Sequence, residues 1–152
     1  MAKIHEYPVQ VQWAGGRDGQ GKATTQRTQV GMELRVPPEF GGSESQSTNP
    51  EELLTSAIAA CYSITFGIIA TNRKLPLVNV ETNAQGEVEE NGPTFKYAKI
   101  TLRPTITLSG EATEDHIKMA EDMAHKADAY CIVTNAVRGT VVIAVEARVI
   151  GA

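Results

Sequence analysis

The chain has 152 residues, of which 41% are hydrophobic and 21% are charged, and we expect a single domain over residues 1–152 with its own core. A net charge of −4 without a cluster of Lys and Arg argues against a nucleic-acid partner or an acidic membrane surface. The N-terminal sequence MAKIHEYPVQ lacks the apolar segment of a signal peptide, which favours the reducing cytoplasm. In that compartment we expect the cysteines to be free or redox-cycling thiols rather than a permanent disulfide bridge.

An alternating pattern near the N-terminus predicts an antiparallel hairpin. Large apolar side chains occupy every second position from Tyr7 to Trp13 and again from Val30 to Val36. The turn-rich stretch AGGRDGQGK lies between them, so we expect its loop to display Arg17. A second turn-rich segment, PPEFGGSESQSTNP, indicates an ordered functional loop, a crossover or a flexible linker.

The signals for a helix start follow this second segment. Pro50 suits the first helical position, Asn49 is suited to cap it, and Glu51 and Glu52 favour the positive end of the helix dipole. Thr48 followed by Glu51 also fits a capping box. The predicted start therefore has two alternatives one residue apart.

The interior of this helix is apolar and carries Cys61. No charged residue occurs from 53 to 72, a length sufficient to cross a bilayer. Interspersed Ser, Thr and Asn side chains argue against a membrane span. We expect a central helix that is buried on nearly every side, either in the middle of a domain or in an interlocked oligomer.

The second half of the chain predicts more strands, then a helix, then a last strand. Strands are indicated from Val78 and again over 100–108, with Pro104 indicating an edge or a bulge. A helix that begins after Thr113 runs into the second cysteine, and a last strand covers 140–150. The predicted apolar stripe of that helix consists of Ile117, Ala120, Met123, Ala124 and Ala127. The order of elements indicates an α+β protein.

Cys61 and Cys131 are 70 positions apart, so they form neither a CxxC motif nor the paired ligands of a zinc ribbon. They belong to a series of motifs in the order GGRDG, TNPEELL, AACYS and C-x-x-x-N-A-x-R-G. Together these motifs resemble the OsmC/Ohr family of thiol-dependent peroxidases over nearly the whole chain. Members of that family commonly have proline directly after the second cysteine, whereas this chain has Ile132, which we expect to alter the stiffness of the turn.

This resemblance implies a fold, an assembly and a reaction. The fold is OsmC-like, with antiparallel sheets around the long central helix, and the assembly is an interlocked homodimer. The reaction is the reduction of a small organic hydroperoxide to an alcohol, with Cys61 as the peroxidatic cysteine and Cys131 as the resolving one. Arg17 matches the arginine of the GGRDG loop, and Glu51 matches the carboxylate after Asn-Pro.

In the implied cycle, Cys61 becomes a sulfenic acid and then forms a disulfide with Cys131. An external dithiol, of lipoyl type by resemblance, reopens the disulfide by exchange. No bound cofactor and no metal is implied. His116 and His125 lie nine residues apart and therefore on opposite faces of one helix, which argues against a metal site.

Thiol chemistry indicates why a cation is needed. Only a thiolate attacks a peroxide efficiently, an ordinary cysteine is mostly protonated at neutral pH, and burial disfavours ionisation. The helix dipole fades within the first turn, about three turns before Cys61. Arg17 keeps its charge and has forked donors that suit both a thiolate and a carboxylate, so we expect Glu51 to orient it.

Helix geometry adds a restriction to this site. Glu51 and Cys61 are ten residues apart, or about 15 Å along a straight helix, too far to touch the same small group. We therefore hypothesise that Arg17 and Glu51 of one chain meet the cysteines of the other chain in a dimer.

Other function classes stay open. A catalytically weak dimeric stress-related or small-ligand-binding protein of the same fold would keep Cys61 as an unreactive core residue. A hydrolase would use Cys61 as an acyl nucleophile, but it needs a histidine base and no motif places one nearby. Arg17 can simply decorate a loop, and Glu51 can simply favour the helix start. Asn135 and Arg138, with Gly139, are expected to shape a turn rather than take part in chemistry.

Overall fold

The computed structural model describes residues 2–43 and 46–151, and it has the predicted α+β architecture. The chain divides into two compact units, of which the first ends at Leu53 and the second begins at Leu54. The interpretation of residues 1–152 as a single domain stays a prediction.

The first unit contains a three-stranded antiparallel sheet in the order β1–β2–β3. β1 (Val9–Ala14) pairs with β2 (Gln20–Thr25), and β2 pairs with β3 (Gly31–Leu34). The prediction that paired the first strand directly with the apolar strand from Val30 is wrong, because β2 lies between them. The loop that displays Arg17 joins β1 to β2.

The missed strand, β2, carries no large apolar side chain in its sequence QGKATT. Its two buried positions are Gly21 and Ala23. The ring of Trp13 covers Gly21, where a Cβ atom would lie 2.5 Å from ring atom Cε3. Only glycine fits beneath this indole, so the strand is defined by its neighbours rather than by its own alternation.

The turn-rich segment after β3 is ordered at both of its ends. A short 3-10 helix covers Pro38–Phe40. Thr48 then returns to β3: its N–H donates to the carbonyl of Glu33 at 2.9 Å, and the N–H of Arg35 donates to the Thr48 carbonyl at 3.0 Å. Residues 44–45 of this segment lie outside the described residues.

The central helix, α1 (Pro50–Asn72), begins where it was predicted. The side chain of Asn49 accepts a hydrogen bond from the N–H of Glu52 at 2.8 Å, which makes Asn49 the cap. The hydroxyl of Thr48 donates instead to the Glu52 carboxylate at 2.9 Å. Of the two predicted starts, Asn49 followed by Pro50 is therefore confirmed.

The second unit contains a four-stranded mixed sheet. β4 (Leu77–Asn91) and β5 (Thr94–Leu108) form a long antiparallel hairpin. β6 (Val142–Val145) and β7 (Arg148–Gly151) both pair with β5 in parallel. Two expectations are corrected here: this sheet is mixed rather than antiparallel, and the predicted last strand over 140–150 is two strands.

Pro104 lies opposite the break between these last two strands. β6 pairs with β5 up to Leu102, and β7 pairs with it from Thr105. Proline has no N–H to donate to a neighbouring strand, so it is tolerated where that neighbour is interrupted. The N–H of Glu146, in the break, donates to the Leu102 carbonyl at 2.8 Å. The predicted edge is thus a local gap beside an inner strand.

The second helix, α2 (Glu114–Tyr130), also begins at its predicted cap. Thr113 Oγ1 accepts from the N–H of His116 at 3.3 Å, and the N–H of Thr113 donates to His116 Nδ1 at 3.0 Å. Cys131 follows the helix directly, as predicted, and caps a short helix, α3 (Ile132–Val137). The short helix α3 was not predicted from the sequence.

The core of the second unit is formed by one face each of α1, β5 and α2. Apolar side chains from the three faces pack together, and each of the principal members is at most 2% exposed. The principal members are Ile58, Tyr62, Phe66 and Ala70 of α1, Ile100, Leu102, Ile106 and Leu108 of β5, and Ala120, Met123, Ala124 and Ala127 of α2.

The opposite side of α1 is exposed in the single chain, where the side chains of Ile64 and Ile68 are 64% and 57% exposed. The expectation of a helix buried on nearly every side is therefore not met within one chain. By length and composition alone α1 is able to cross a bilayer, a property that it shares with core helices of other proteins.

Candidate thiol site

Cys61 lies at the edge of the buried stripe of α1. Its neighbour Tyr62 is fully buried in the core, and successive helical residues point about 100° apart, so Cys61 is only half-buried. One turn further on, Oγ1 of Thr65 lies 3.9 Å from the Cys61 sulfur. The position combines a fixed backbone with a partly accessible thiol.

Tyr62 fixes this part of α1 against α2. Its hydroxyl donates to the carbonyl of Ala124 at 2.5 Å. Burial raises the pKa of Tyr62 well above its ordinary value, and the negative charge of Asp128 raises it further. The phenol therefore stays protonated and acts as a hydrogen-bond donor beside the cysteine.

Cys131 is fully buried at the corner between α2 and α3. Its sulfur accepts two hydrogen bonds from Thr134, one from the hydroxyl at 3.0 Å and one from the backbone N–H at 3.4 Å. Thr134 is itself fully buried. The second cysteine is thus held by a single residue that offers two donors.

The fold brings the two sulfurs together in the second unit. The pKa of the Cys131 thiol is raised above its ordinary value, first by burial and then by a hydrogen bond with Cys61. The two hydrogen bonds from Thr134 oppose this shift because they favour the thiolate. Both cysteines are free thiols.

The corner that carries Cys131 is closed by Arg138. Its Nε donates to the Asn135 side chain at 2.9 Å, and its Nη2 donates to the backbone carbonyl of Asp128 at 3.0 Å. Asn135 also donates through Nδ2 to the Ala129 carbonyl at 3.0 Å. The prediction that Asn135 and Arg138 shape a turn is confirmed.

Arg17 and Glu51 belong to the first unit. Arg17 is exposed in the loop between β1 and β2, and its aliphatic stem packs on Gly41, where a Cβ atom would lie 2.8 Å from Arg17 Cδ. Gly41 also has a left-handed backbone (φ 89°), which favours glycine there. Glu51 is half-buried in the first turn of α1. A meeting of Arg17 and Glu51 with the cysteines stays a prediction.

Within residues 2–43 and 46–151, no group of three or more His, Cys, Asp and Glu side chains is arranged to hold a metal ion. His116 has a structural partner in Thr113, with which it forms the capping box of α2.

Two neighbours of the thiol site, Thr134 and Asp128, were not predicted from the sequence. Thr134 stands three residues after Cys131, the spacing at which the cap of a helix receives its first N–H donors. That signal became meaningful only with α3, which is too short to show an apolar period. Asp128 lies within α2, where the sequence offered no sign that its carbonyl and carboxylate face Arg138.

Comparison with known proteins identifies relatives over most of the chain. A family model described as OsmC-like protein matches residues 41–146. The chain is 29% identical over 145 residues to the protein YmaD of Bacillus subtilis, which covers 95% of both chains. It is 27% identical over 127 residues to the organic hydroperoxide resistance protein-like 2 of Staphylococcus epidermidis, which covers 84% of each chain.

Solved structures show the same similarity. The organic hydroperoxide resistance protein OsmC of Legionella pneumophila, also described as a predicted redox protein, is 26% identical and has a TM-score of 0.74. The match covers 95% of this chain and 99% of that one.

Proposed function

We propose that this chain, which belongs to the OsmC-like protein family, is a thiol-dependent peroxidase that reduces organic hydroperoxides to alcohols. The hydroperoxide-resistance names of its relatives support a peroxidase role in general. The observation that carries the proposal is the proximity of the half-buried thiol of Cys61 to the buried thiol of Cys131, whose pKa it helps to raise. Two neighbouring thiols, one of them partly accessible, are what a two-cysteine cycle requires.

The oxidative half of the proposed cycle begins at the accessible thiol. The Cys61 thiolate attacks the distal oxygen of the hydroperoxide, the O–O bond breaks, and the alkoxide takes up a proton and leaves as the alcohol. Cys61 is then a sulfenic acid. The Cys131 thiolate attacks the Cys61 sulfur, hydroxide leaves and is protonated to water, and a Cys61–Cys131 disulfide forms.

The reductive half returns both thiols. An external dithiol attacks the disulfide, forms a mixed disulfide and then closes on itself, leaving the protein reduced and the dithiol oxidised. A lipoyl-type reductant is our expectation from the family resemblance. The reducing cytoplasm supplies such dithiols, and it remains the predicted compartment.

We place Arg17 and Glu51 in this site through a homodimer. Apolar side chains that are exposed in the single chain support an interface with a second copy, which would remove them from water. On α1 these are Ile64 and Ile68, and on β1 they include Val11, which is 60% exposed. In the dimer, Arg17 of one chain is proposed to stabilise the Cys61 thiolate of the other, with Glu51 orienting the guanidinium.

Thiol counting with intact-mass measurement tests this function. The reduced protein is titrated with an organic hydroperoxide and, separately, with hydrogen peroxide. We expect stoichiometric loss of both thiols, a mass decrease of about two hydrogens, and faster reaction with the organic peroxide.

Two cysteine variants serve as controls in the same titration. Cys131→Ser should stop at a Cys61 sulfenic acid, seen as a mass increase of one oxygen that a sulfenic-acid reagent traps. Cys61→Ser should keep its remaining thiol. Wild-type thiols that survive excess hydroperoxide would contradict the peroxidase proposal and favour the weakly catalytic ligand-binding alternative.

A further inference from the structure

Thr134 directs its only side-chain donor at a reacting sulfur. A buried hydroxyl needs a hydrogen-bond partner, and threonine within a helix commonly uses a backbone carbonyl one turn back. Thr134 instead donates to Cys131 Sγ at 3.0 Å, and its backbone N–H adds a second hydrogen bond at 3.4 Å. Thr134 and Cys131 are both fully buried, so the sulfur receives these hydrogen bonds from the protein rather than from solvent.

Two donors that face a sulfur atom stabilise a neutral thiol only slightly, whereas they stabilise a thiolate strongly. Hydrogen bonds to a charged acceptor are roughly twice as strong as those between neutral groups. Donors already aimed at the atom where charge develops need no rearrangement during the reaction. The two donors of Thr134 are held in position because Arg138 links the end of α2 to α3, the helix that carries Thr134.

We propose that Thr134 is a catalytic residue of the reductive half-reaction, in which its hydroxyl stabilises Cys131 as the leaving thiolate. The inference rests on the proposed function and deepens it. A thiolate of the external dithiol bonds to Cys61 Sγ, which is the more accessible sulfur. The S–S bond to Cys131 breaks, and its electron pair stays on Cys131 Sγ, where Thr134 donates.

The second thiol of the reductant completes the exchange. It displaces Cys61 from the mixed disulfide, the reductant becomes a cyclic disulfide, and both protein thiolates take up protons. The first displacement depends on how well Cys131 leaves, and a thiol with a lower pKa leaves faster. Removal of the Thr134 hydroxyl should therefore slow this step and leave the attack of Cys61 on peroxide unaltered.

The experiment isolates the exchange from the peroxide reaction. The protein disulfide is formed with diamide, and its opening by excess dithiothreitol is followed by rapid kinetics in wild type, Thr134→Val and Thr134→Ser. The loss of a charge-assisted hydrogen bond predicts opening slower by about tenfold or more in Thr134→Val. Thr134→Ser restores the hydroxyl and should open at close to the wild-type rate.

A matched control makes the same chemical change elsewhere. Thr101 is a buried threonine of β5, and Thr101→Val should open at the wild-type rate. A second readout is the ionisation of Cys131 in a Cys61→Ser background, followed by thiolate absorbance. There Thr134→Val should raise the apparent pKa by about one unit, whereas Thr134→Ser should not.

Several outcomes overturn the inference. A Thr134→Val disulfide that opens at the wild-type rate would overturn it. A Thr134→Ser disulfide that opens as slowly as that of Thr134→Val would also overturn it, because a change in packing would then explain both rates. If Thr134→Val does not fold, Thr134→Ala carries the same test. A wild-type chain that diamide fails to bridge overturns both proposals. A chain that diamide bridges but hydroperoxide does not oxidise refutes the peroxidase proposal, while the exchange rates still decide the role of Thr134.

Discussion

Arg138 donates to Asp128 twice, at 3.0 Å to the backbone carbonyl and at 3.2 Å to the carboxylate, and so closes the corner that carries Cys131. The same carbonyl accepts the N–H of Cys131 at 3.3 Å. We therefore predict that Arg138→Met loosens the resolving cysteine. Urea unfolding should show a loss of about 1 kcal/mol, because the ion pair is partly exposed. In a Cys61→Ser background, Cys131 should also be alkylated faster by iodoacetamide.

The chain offers a matched control in Arg103, which pairs with Glu146 at 3.1 Å on the surface. Both partners of that pair are more exposed than Asp128. Arg103→Met should therefore cost about 0.5 kcal/mol or less and leave the alkylation of Cys131 unchanged. Equal alkylation rates for the two variants would show that the corner is held by other contacts.

A second prediction concerns Tyr62, whose hydroxyl links α1 to α2. Tyr62→Phe removes the hydrogen bond to the Ala124 carbonyl and should lower the free energy of unfolding by about 1–2 kcal/mol at neutral pH. Circular dichroism during urea unfolding measures it. Tyr7→Phe, at a tyrosine that is 76% exposed, is the control and should be nearly neutral.

The pH dependence of this difference has a definite sign. Burial raises the pKa of folded Tyr62 above its ordinary value of 10.0. As the pH rises through that ordinary value, the unfolded chain ionises first, so the wild type loses stability. Tyr62→Phe lacks this loss, and its deficit should shrink above about pH 10. A deficit that stays constant into that range would contradict the burial of the phenol.

A third prediction concerns the resolving step. Because burial and the contact with Cys61 raise the pKa of Cys131, its thiolate is scarce at neutral pH. The Cys61 sulfenic acid should therefore close to the disulfide faster by about tenfold per pH unit, until the pH passes the pKa of Cys131. Stopped-flow trapping of the sulfenic acid measures its lifetime. In Cys131→Ser the sulfenic acid should persist, and a wild-type lifetime independent of pH would argue against Cys131 as the nucleophile.

The helices of this fold were predictable where capping chemistry is local. Asn49 with Pro50, and Thr113 before two acidic residues, mark helix starts through contacts within one turn. The proximity of Cys61 to Cys131 was predicted only from the family resemblance. The two residues are 70 positions apart, and no local sequence pattern relates residues at that distance.

The errors have physical causes in non-local packing. β2 was missed because Gly21 lies under the ring of Trp13, where a larger side chain does not fit. The last strand was predicted as continuous because apolar side chains recur on one face from Val141 to Val149, whereas its break lies opposite Pro104, on another strand. Thr134 was missed because a helix of six residues has no apolar period to detect.

The last prediction tests whether the site is completed by a second chain. Arg17 and Glu51 lie in the first unit and the cysteines in the second, and we propose that they meet across a homodimer. Cys61→Ser and Arg17→Ala should each be inactive alone. When refolded together, half of the sites in a heterodimer combine an intact Cys61 with an intact Arg17, so peroxidase activity should recover to as much as half per heterodimer. A mixture of Cys61→Ser with Cys131→Ser should recover none, because those thiols meet within one chain. Activity that stays absent in purified Cys61→Ser/Arg17→Ala heterodimers would place Arg17 in the same chain as the cysteine it serves, or outside the site altogether.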